Sequence, residues 1–339
     1  MRVLVTGGTG NVGPAAVRRL AESGHEVTVA ALDTGPDIEG VSYRHCDVTD
    51  YDAVRSLAEG HDAVVHLAAI NNPVGRPGHH VFGVNACSTF NVFEAADEAG
   101  IERVVAASSI NALGFYYGDR SPALPYLPVD EDVPGLATDA YSFSKQITER
   151  IADYFFDRDG ISSALLRLPA VLHHEQLIEA RNRDERRAPA PLIGELLSSA
   201  DNAREARLDR LHEAYDRLRR SNRLDRRNNM RFSTDELQAF GLSPEEYRLM
   251  FQLANFFAYV DELDSAQAIE RALTASFEGS HPLYISAARN SAGYPVAELA
   301  KLYRPSVPEV REQTPGDDCL ISIDRARSLI GFDPQWVNN

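Results

Sequence analysis

The sequence predicts an α/β protein: a doubly wound parallel sheet carrying a smaller, discontinuous second domain with a charged helical insertion. Three observations point there. Short apolar strands alternate with helical stretches through the first half of the chain. A glycine-rich turn joins the first strand to the first helix. The alternation then breaks over residues 173–250 and resumes afterwards. Strands that alternate with helices imply a parallel sheet covered on both faces, with right-handed crossovers.

The elements follow in order. Arg2–Thr6 is an apolar strand, and Pro14–Ser23 has helical spacing. Gly24-His25 turns the chain into the β-branched run Glu26–Leu32. Val41–Cys46, Ala63–Ala69, Arg103–Ser108 and Ser162–Leu168 are further strands, separated by helices over Tyr51–Glu59, Val81–Ala99 and Tyr141–Asp159. In the insertion, Leu208, Leu211, Tyr215 and Leu218 keep a three-four spacing, which predicts an amphipathic helix over Arg204–Arg220. Its arginines are interleaved with acids, the pattern of a salt-bridged face rather than a nucleic-acid patch. Ser243-Pro244-Glu245-Glu246 reads as an N-cap, a first-turn proline and early acids, starting a helix towards Phe257. Ala258–Val260 and Pro282–Ala287 are strands on either side of a helix at Ser265–Ser276. The first domain is therefore expected to use 1–172 and about 258–287, and the second about 173–257 and 288–339.

Composition excludes several classes. The chain of 339 residues has 50 acids against 34 bases, a net charge of −16, which argues against a nucleic-acid partner. Residues 173–250 are neutral, so the whole excess lies elsewhere. Lysine occurs twice, at 145 and 301. Such an acidic, lysine-poor surface resembles that of halophilic proteins, and a GC-rich genome would also favour arginine. Three cysteines without a C-x-x-C pair exclude a disulfide scaffold or a multi-cysteine zinc site. His79-His80 and His173-His174-Glu175 lack a third spaced ligand; they read as exposed loop histidines, and no metal is expected. No apolar run reaches the ~18 residues of a spanning helix, and Met1–Gly10 does not read as a signal peptide. No membrane partner and a cytoplasmic location are the expectation.

The chemistry starts at the glycine turn. Gly7, Gly8, Gly10 and Gly13, with Asn11 and Val12 between them, follow a strand and open a helix. That context suits a dinucleotide: glycines let the backbone approach a pyrophosphate, and the helix N-terminus faces its charge. Asp33 lies 20 residues past Gly13, at the end of the second strand, and no Arg or Lys lies between Arg19 and Arg44. An acid there suits the ribose diol of NAD, whereas NADP wants a base. Tyr141-Ser142-Phe143-Ser144-Lys145 is Y-x-x-x-K. On a helix the two share one face, and an ammonium beside a phenol is expected to lower its pKa into working range for proton transfer.

These pieces together resemble the extended short-chain dehydrogenase/reductase family, in its NAD-dependent epimerase/dehydratase group. Matching segments run in family order: TGGTGNVG at 6–13, DVTD at 47–50, HLAA at 66–69, VNACSTFNVFEAA at 84–96, ASS at 107–109, YSFSK at 141–145, YVDELDSA at 259–266 and LIGFDP at 329–334. The resemblance implies that Asp47 and Val48 flank adenine and that Leu67, Ala68 and Ala69 line the ribose and pyrophosphate. It implies that Asn85 orders the site, that Ser109 holds the reacting oxygen and that Tyr141 is the acid/base. Lys145 would also bond the nicotinamide ribose, and Pro169 would sit near the carboxamide. A homodimer through the helices at 81–99 and 141–159 is likewise implied.

Departures narrow the chemistry. Dehydratases of the group carry Asp-Glu where this chain has Ile110-Asn111, so loss of water by that route is not expected. Its nucleotide-sugar epimerases carry an Arg at the position of Phe257, and a phenyl ring cannot replace a bidentate phosphate fork. Ser108-Ser109 followed by Gly114-Phe115-Tyr116 is similar to uronate dehydrogenases, whose next two residues are Asn-His rather than Ile110-Asn111. The expectation is an NAD-dependent oxidoreductase acting on a hydroxyl of a free sugar or sugar acid. The alternatives are a nucleotide-sugar epimerase holding NAD tightly and, third, a non-catalytic NAD-binding protein.

Overall fold

In the computed structural model, residues 1–174, 189–221 and 232–335 are described. The chain runs β1 (Arg2–Thr6), α1 (Gly13–Glu22), β2 (Glu26–Ala31), β3 (Val41–His45), α2 (Tyr51–Ala58), β4 (Ala63–His66), α3 (Gly78–Glu98), β5 (Arg103–Ser109), α4 (Ala140–Asp159), β6 (Ser162–Leu168) and β7 (Ala170–Leu172). There follow α5 (Ala190–Ser198), α6 (Asp201–Ser221), α7 (Thr234–Ala239), α8 (Pro244–Ala254), β8 (Tyr259–Asp261), α9 (Glu262–Thr274), β9 (Ser280–Tyr284), α10 (Val296–Ala300) and α11 (Asp324–Ile330).

Seven parallel strands form one sheet in the order β3-β2-β1-β4-β5-β6-β9. Side-chain alternation explains the two covered faces. Val3 and Val5 of β1 face a core with Val17 and Leu20 of α1 and Ile269 of α9. Leu4, between them, faces Val54 of α2, Phe93 of α3 and Phe155 of α4. The order reverses between β1 and β4, so the crevice opens at the carboxyl ends of the strands, where doubly wound folds bind ligands.

Two elements depart from the sequence expectation. The strand at Ala258–Val260 does not join the large sheet. As β8 it pairs with β7, which the sequence reading had not separated from the loop after Pro169, in a two-stranded parallel ribbon. His173 and His174 are not freely exposed loop residues: Nδ1 of His173 lies 2.6 Å from Glu262, and Nδ1 of His174 lies 3.0 Å from Asp261. Both contacts staple the end of this ribbon to the start of α9.

The insertion has its own core. Leu208, Leu211, Tyr215 and Leu218 of α6 are buried with Leu249 and Leu253 of α8, and with Phe115, Leu127, Leu299 and Leu320 from outside the insertion. The polar face of α6 carries ion pairs such as Arg210–Glu246 and Arg217–Glu213. Helix α8 starts as its sequence suggests, with Ser243 and Glu246 forming a reciprocal capping box and Pro244 in the first turn. Among the described residues, no helix is long and apolar enough to cross a membrane.

Candidate active site

A cavity of about 1580 Å³ runs along the carboxyl ends of the strands and under the insertion. One end is built from backbone. β1 leads to Gly7, whose φ of +71° belongs to the left-handed region. A Cβ there would lie 2.5 Å from the Ala68 backbone nitrogen, and one at Gly13 would lie 2.2 Å from the Gly8 carbonyl oxygen. Neither position can carry a side chain without moving main chain. Gly10 N–H donates to the Gly7 carbonyl (3.0 Å), which tightens the turn. Asn11 reaches across to the Val171 carbonyl (3.5 Å), and Val12 precedes the first turn of α1. The loop is thus a bare concave backbone at a helix N-terminus, which fits a pyrophosphate.

The flanking residues extend this groove. Asp33 is exposed just beyond β2. Asp47 accepts hydrogen bonds from the Thr49 N–H (2.9 Å) and hydroxyl (2.8 Å), which hold its carboxyl below the usual range. Val48 lies beside it, and Leu67, Ala68 and Ala69 line the opposite edge after β4. Beneath the loop, His66 is fully buried between the Thr6 hydroxyl (2.7 Å) and the Thr89 hydroxyl (3.3 Å). Burial pushes its pKa down to about 3.

The other end is built from buried side chains. Asp139 caps α4 by accepting from the Ser142 N–H (2.8 Å), and so sets the register of Tyr141 and Lys145 one turn apart. Ser109 closes β5. Its Oγ accepts from both the backbone N–H (3.1 Å) and the Nδ2 (3.2 Å) of Asn111 and donates to the Leu168 carbonyl (3.4 Å). Ser109 also hydrogen-bonds the Tyr141 phenol. Lys145 Nζ donates to the Ala107 carbonyl at 2.7 Å and sits 5.9 Å from the centre of the Tyr141 ring. Tyr117 packs edge-on against that ring. Pro169 follows β6 on the far wall.

The expected lowering of the tyrosine pKa by its lysine neighbour is not what this geometry produces. Burial pushes the Tyr141 phenol up to about 12, against a lowering by Ser109. Burial likewise pulls Lys145 down to about 8, against a raising by Glu149. The reason is that both groups lie in a nearly dry pocket and the ammonium is aimed at a main-chain carbonyl. Desolvation then outweighs the Ser109 hydrogen bond at Tyr141 and the Glu149 charge at Lys145. At neutral pH the pair is a protonated phenol beside an ammonium.

Every residue expected at the site lines this one cavity except Gly8 and Asn85. Asn85 lies behind it on α3, accepting from the Ile70 N–H (2.7 Å) and donating to the Ile70 carbonyl (3.1 Å) and Ser144 Oγ (3.0 Å). It ties the loop after β4 to the helix bearing Tyr141. Two features escaped sequence reading. Asn111, noted there only as a departure, orients Ser109. Glu149, a further turn along α4 from Lys145, accepts from the Ser108 hydroxyl (2.7 Å) and from two nitrogens of the buried Arg167 (2.8 Å each). A helical i+4 repeat from Lys145 would have pointed to Glu149; nothing in the sequence pointed to its partners.

A family model described as "NAD dependent epimerase/dehydratase family" matches residues 3–198. A uronate dehydrogenase of Pseudomonas syringae pv. tomato is 31% identical over 169 residues, 49% of this chain and 58% of that protein. An L-arabinose 1-dehydrogenase (NAD(P)(+)) of Haloferax volcanii is 35% identical over 189 residues, 54% of this chain and 72% of that protein. The chain thus spans less than two thirds of the uronate dehydrogenase. Among solved structures, a short-chain dehydrogenase/reductase superfamily protein from Agrobacterium tumefaciens with bound NAD has a TM-score of 0.62 at 22% identity, covering 99% of this chain and 93% of that one.

Proposed function

The chain belongs to the NAD dependent epimerase/dehydratase family, and from that membership we propose that it is an NAD-dependent dehydrogenase of a free sugar or sugar acid. The observation that carries the choice is Phe257. It is fully buried in the insertion's core, so the place where epimerases of the family were expected to present an arginine to a diphosphate is closed off. The similarity to a uronate and an arabinose dehydrogenase supports the same choice.

In this reading the glycine loop with Asn11 and Val12 holds the pyrophosphate of NAD. Asp33 holds the ribose diol, and Asp47, Val48, Leu67, Ala68 and Ala69 line the adenosine side. Pro169 and Lys145 face the nicotinamide half. Bound NAD supplies a hydride acceptor. The protein supplies the proton path. The substrate hydroxyl sits between Ser109 Oγ and the Tyr141 side chain; the phenol first loses its own proton to solvent, and the phenolate then takes the substrate's proton as the carbon is oxidised. Ser109, by turning its hydroxyl proton from the Leu168 carbonyl to the substrate, steadies the reacting oxygen. Lys145, cationic below about pH 8, offsets the charge that Tyr141 carries in that step. Residues 1–172 and about 258–287 form the NAD-binding domain; the insertion and tail form the substrate domain, with the segment from Ile110 to Val133 packed on the same core. The exposed rings of Phe90, Phe143 and Tyr154 on α3 and α4 support a homodimer through those helices; a monomer by light scattering refutes it.

A nucleotide-sugar epimerase is the second reading, supported by membership of a family whose description names epimerases. NADH formation over a panel of aldoses, uronic acids and nucleotide sugars separates the two. Net NADH with a free sugar supports the dehydrogenase; epimerised nucleotide sugar without net NADH overturns it. Tyr141→Phe is expected to cut kcat by about 10²–10⁴-fold while NADH binding persists. Full turnover by that variant refutes the assignment of Tyr141.

A further inference from the structure

Helix α8 and its C-cap have two faces. Leu249, Met250, Leu253 and Ala254 are buried. Positions 244, 247, 248, 251, 252 and 255 repeat at three-four spacing and all line the cavity. The helix that closes the insertion's core is therefore also a wall of the active site. Three residues of that wall are polar and climb it turn by turn: Arg248, Gln252 and Asn255.

Charge in the cavity is sparse. Among the described lining residues the charged side chains are Asp33, Asp47, Lys145 and Arg248. The two acids stand at the ends of β2 and β3, and Lys145 is committed to the Ala107 carbonyl. Among the described residues, Arg248 is the charge contributed by the insertion. Among the described residues its acidic neighbour is Glu245, at 3.9 Å, with a side chain 67% exposed. Its Nε is buried and has no hydrogen-bond partner among those residues. A guanidinium half-buried at a cavity wall with donors unspent is a receptor for an anion, since a fork of N–H groups matches carboxylate and phosphate alike.

We propose that Arg248 is a specificity-determining residue: it pairs with a carboxylate or phosphate on a polyhydroxylated substrate, while Gln252 and Asn255 address neighbouring hydroxyls. This rests on the dehydrogenase reading and names its substrate class as anionic sugars.

The test is calorimetric binding of D-glucuronate, D-glucose 6-phosphate and neutral D-glucose to the protein saturated with NADH, where no turnover occurs. At least one anion is expected to bind well above glucose, and the preferred one separates carboxylate from phosphate. Arg248→Gln is expected to weaken that anion about 10- to 100-fold and leave glucose unchanged. Arg248→Lys, which keeps charge without the fork, is expected to fall between. Anion binding unchanged in Arg248→Gln, glucose bound as well as both anions, or no anion bound by the wild type would each overturn the proposal. The dehydrogenase reading fails separately, if an anion binds but yields no NADH when NAD replaces NADH.

Discussion

The two ends of the cavity are built by different means. At the glycine loop the walls are main chain: Gly7 and Gly13 leave no room for a Cβ against Ala68 and Gly8, and Leu67 N–H bonds the Thr6 carbonyl (3.0 Å). Under the insertion the walls are side chains on α8, held by a core of leucines and aromatic residues. A backbone wall tolerates almost no substitution, because any side chain displaces main chain. A side-chain wall can be rewritten while its helix stays packed. The first end suits a ligand common to a whole family, and the second suits a substrate particular to one member.

The largest effect is expected behind the cavity wall, where Glu149 holds the Ser108 hydroxyl. Glu149 and Arg167 are both buried, and Arg167 also donates to Tyr284 Oη (3.2 Å). The Tyr284 N–H donates to Glu131 (2.8 Å), so the network runs from α4 through β6 to β9 and the segment before α4. Glu149→Ala leaves a buried guanidinium unpaired and is expected to cost about 3–5 kcal/mol in denaturant unfolding. A loss below 1 kcal/mol would show that water reaches Arg167. The next effect isolates the backbone wall. Gly13→Ala is expected to lose NADH binding, seen by fluorescence titration, and about 1–3 kcal/mol of stability. Unchanged NADH affinity would mean that the loop is not the pyrophosphate cradle. Arg248→Gln, by contrast, should leave NADH affinity alone, and that asymmetry is the comparison in experimental form.

The smallest effect is a pH dependence beneath the loop. His66 is neutral in the folded protein down to about pH 3, while the unfolded chain takes up its proton near 6.5. Between those values the unfolded state binds more protons, so stability falls as pH falls, by at most about 1.4 kcal/mol per pH unit from this group. His66→Gln is expected to lose less stability than the wild type between pH 7 and pH 4.5, measured by urea midpoints. Parallel losses would place the acid sensitivity elsewhere.

Legibility in the sequence followed the same division. The glycine loop, Asp33, Tyr141 and Lys145 could be read because their spacing along one strand, turn or helix is set by local geometry; Ser109 was named through the family resemblance alone, and the cavity brings all of them together. The helices at 204–220 and after Ser243 were legible from their periodicity and cap. What failed depended on partners distant in the chain. The ribbon of β7 and β8 joins segments about 90 residues apart. The environment of Lys145 could not be read either: a carbonyl on β5 and a dry pocket outweigh its helical neighbour.

Local periodicity and the glycine spacing were enough to specify a parallel sheet, a glycine-rich turn ahead of its first helix, and a tyrosine and a lysine on one helical face, because each rule operates within one or two elements. Which face of α8 meets the cavity, that Arg248 lines it, and how far burial moves Tyr141 and Lys145 were settled by packing alone. Those outcomes depend on the atoms that surround a group in space, and pattern along the chain carries no record of them until the chain is folded.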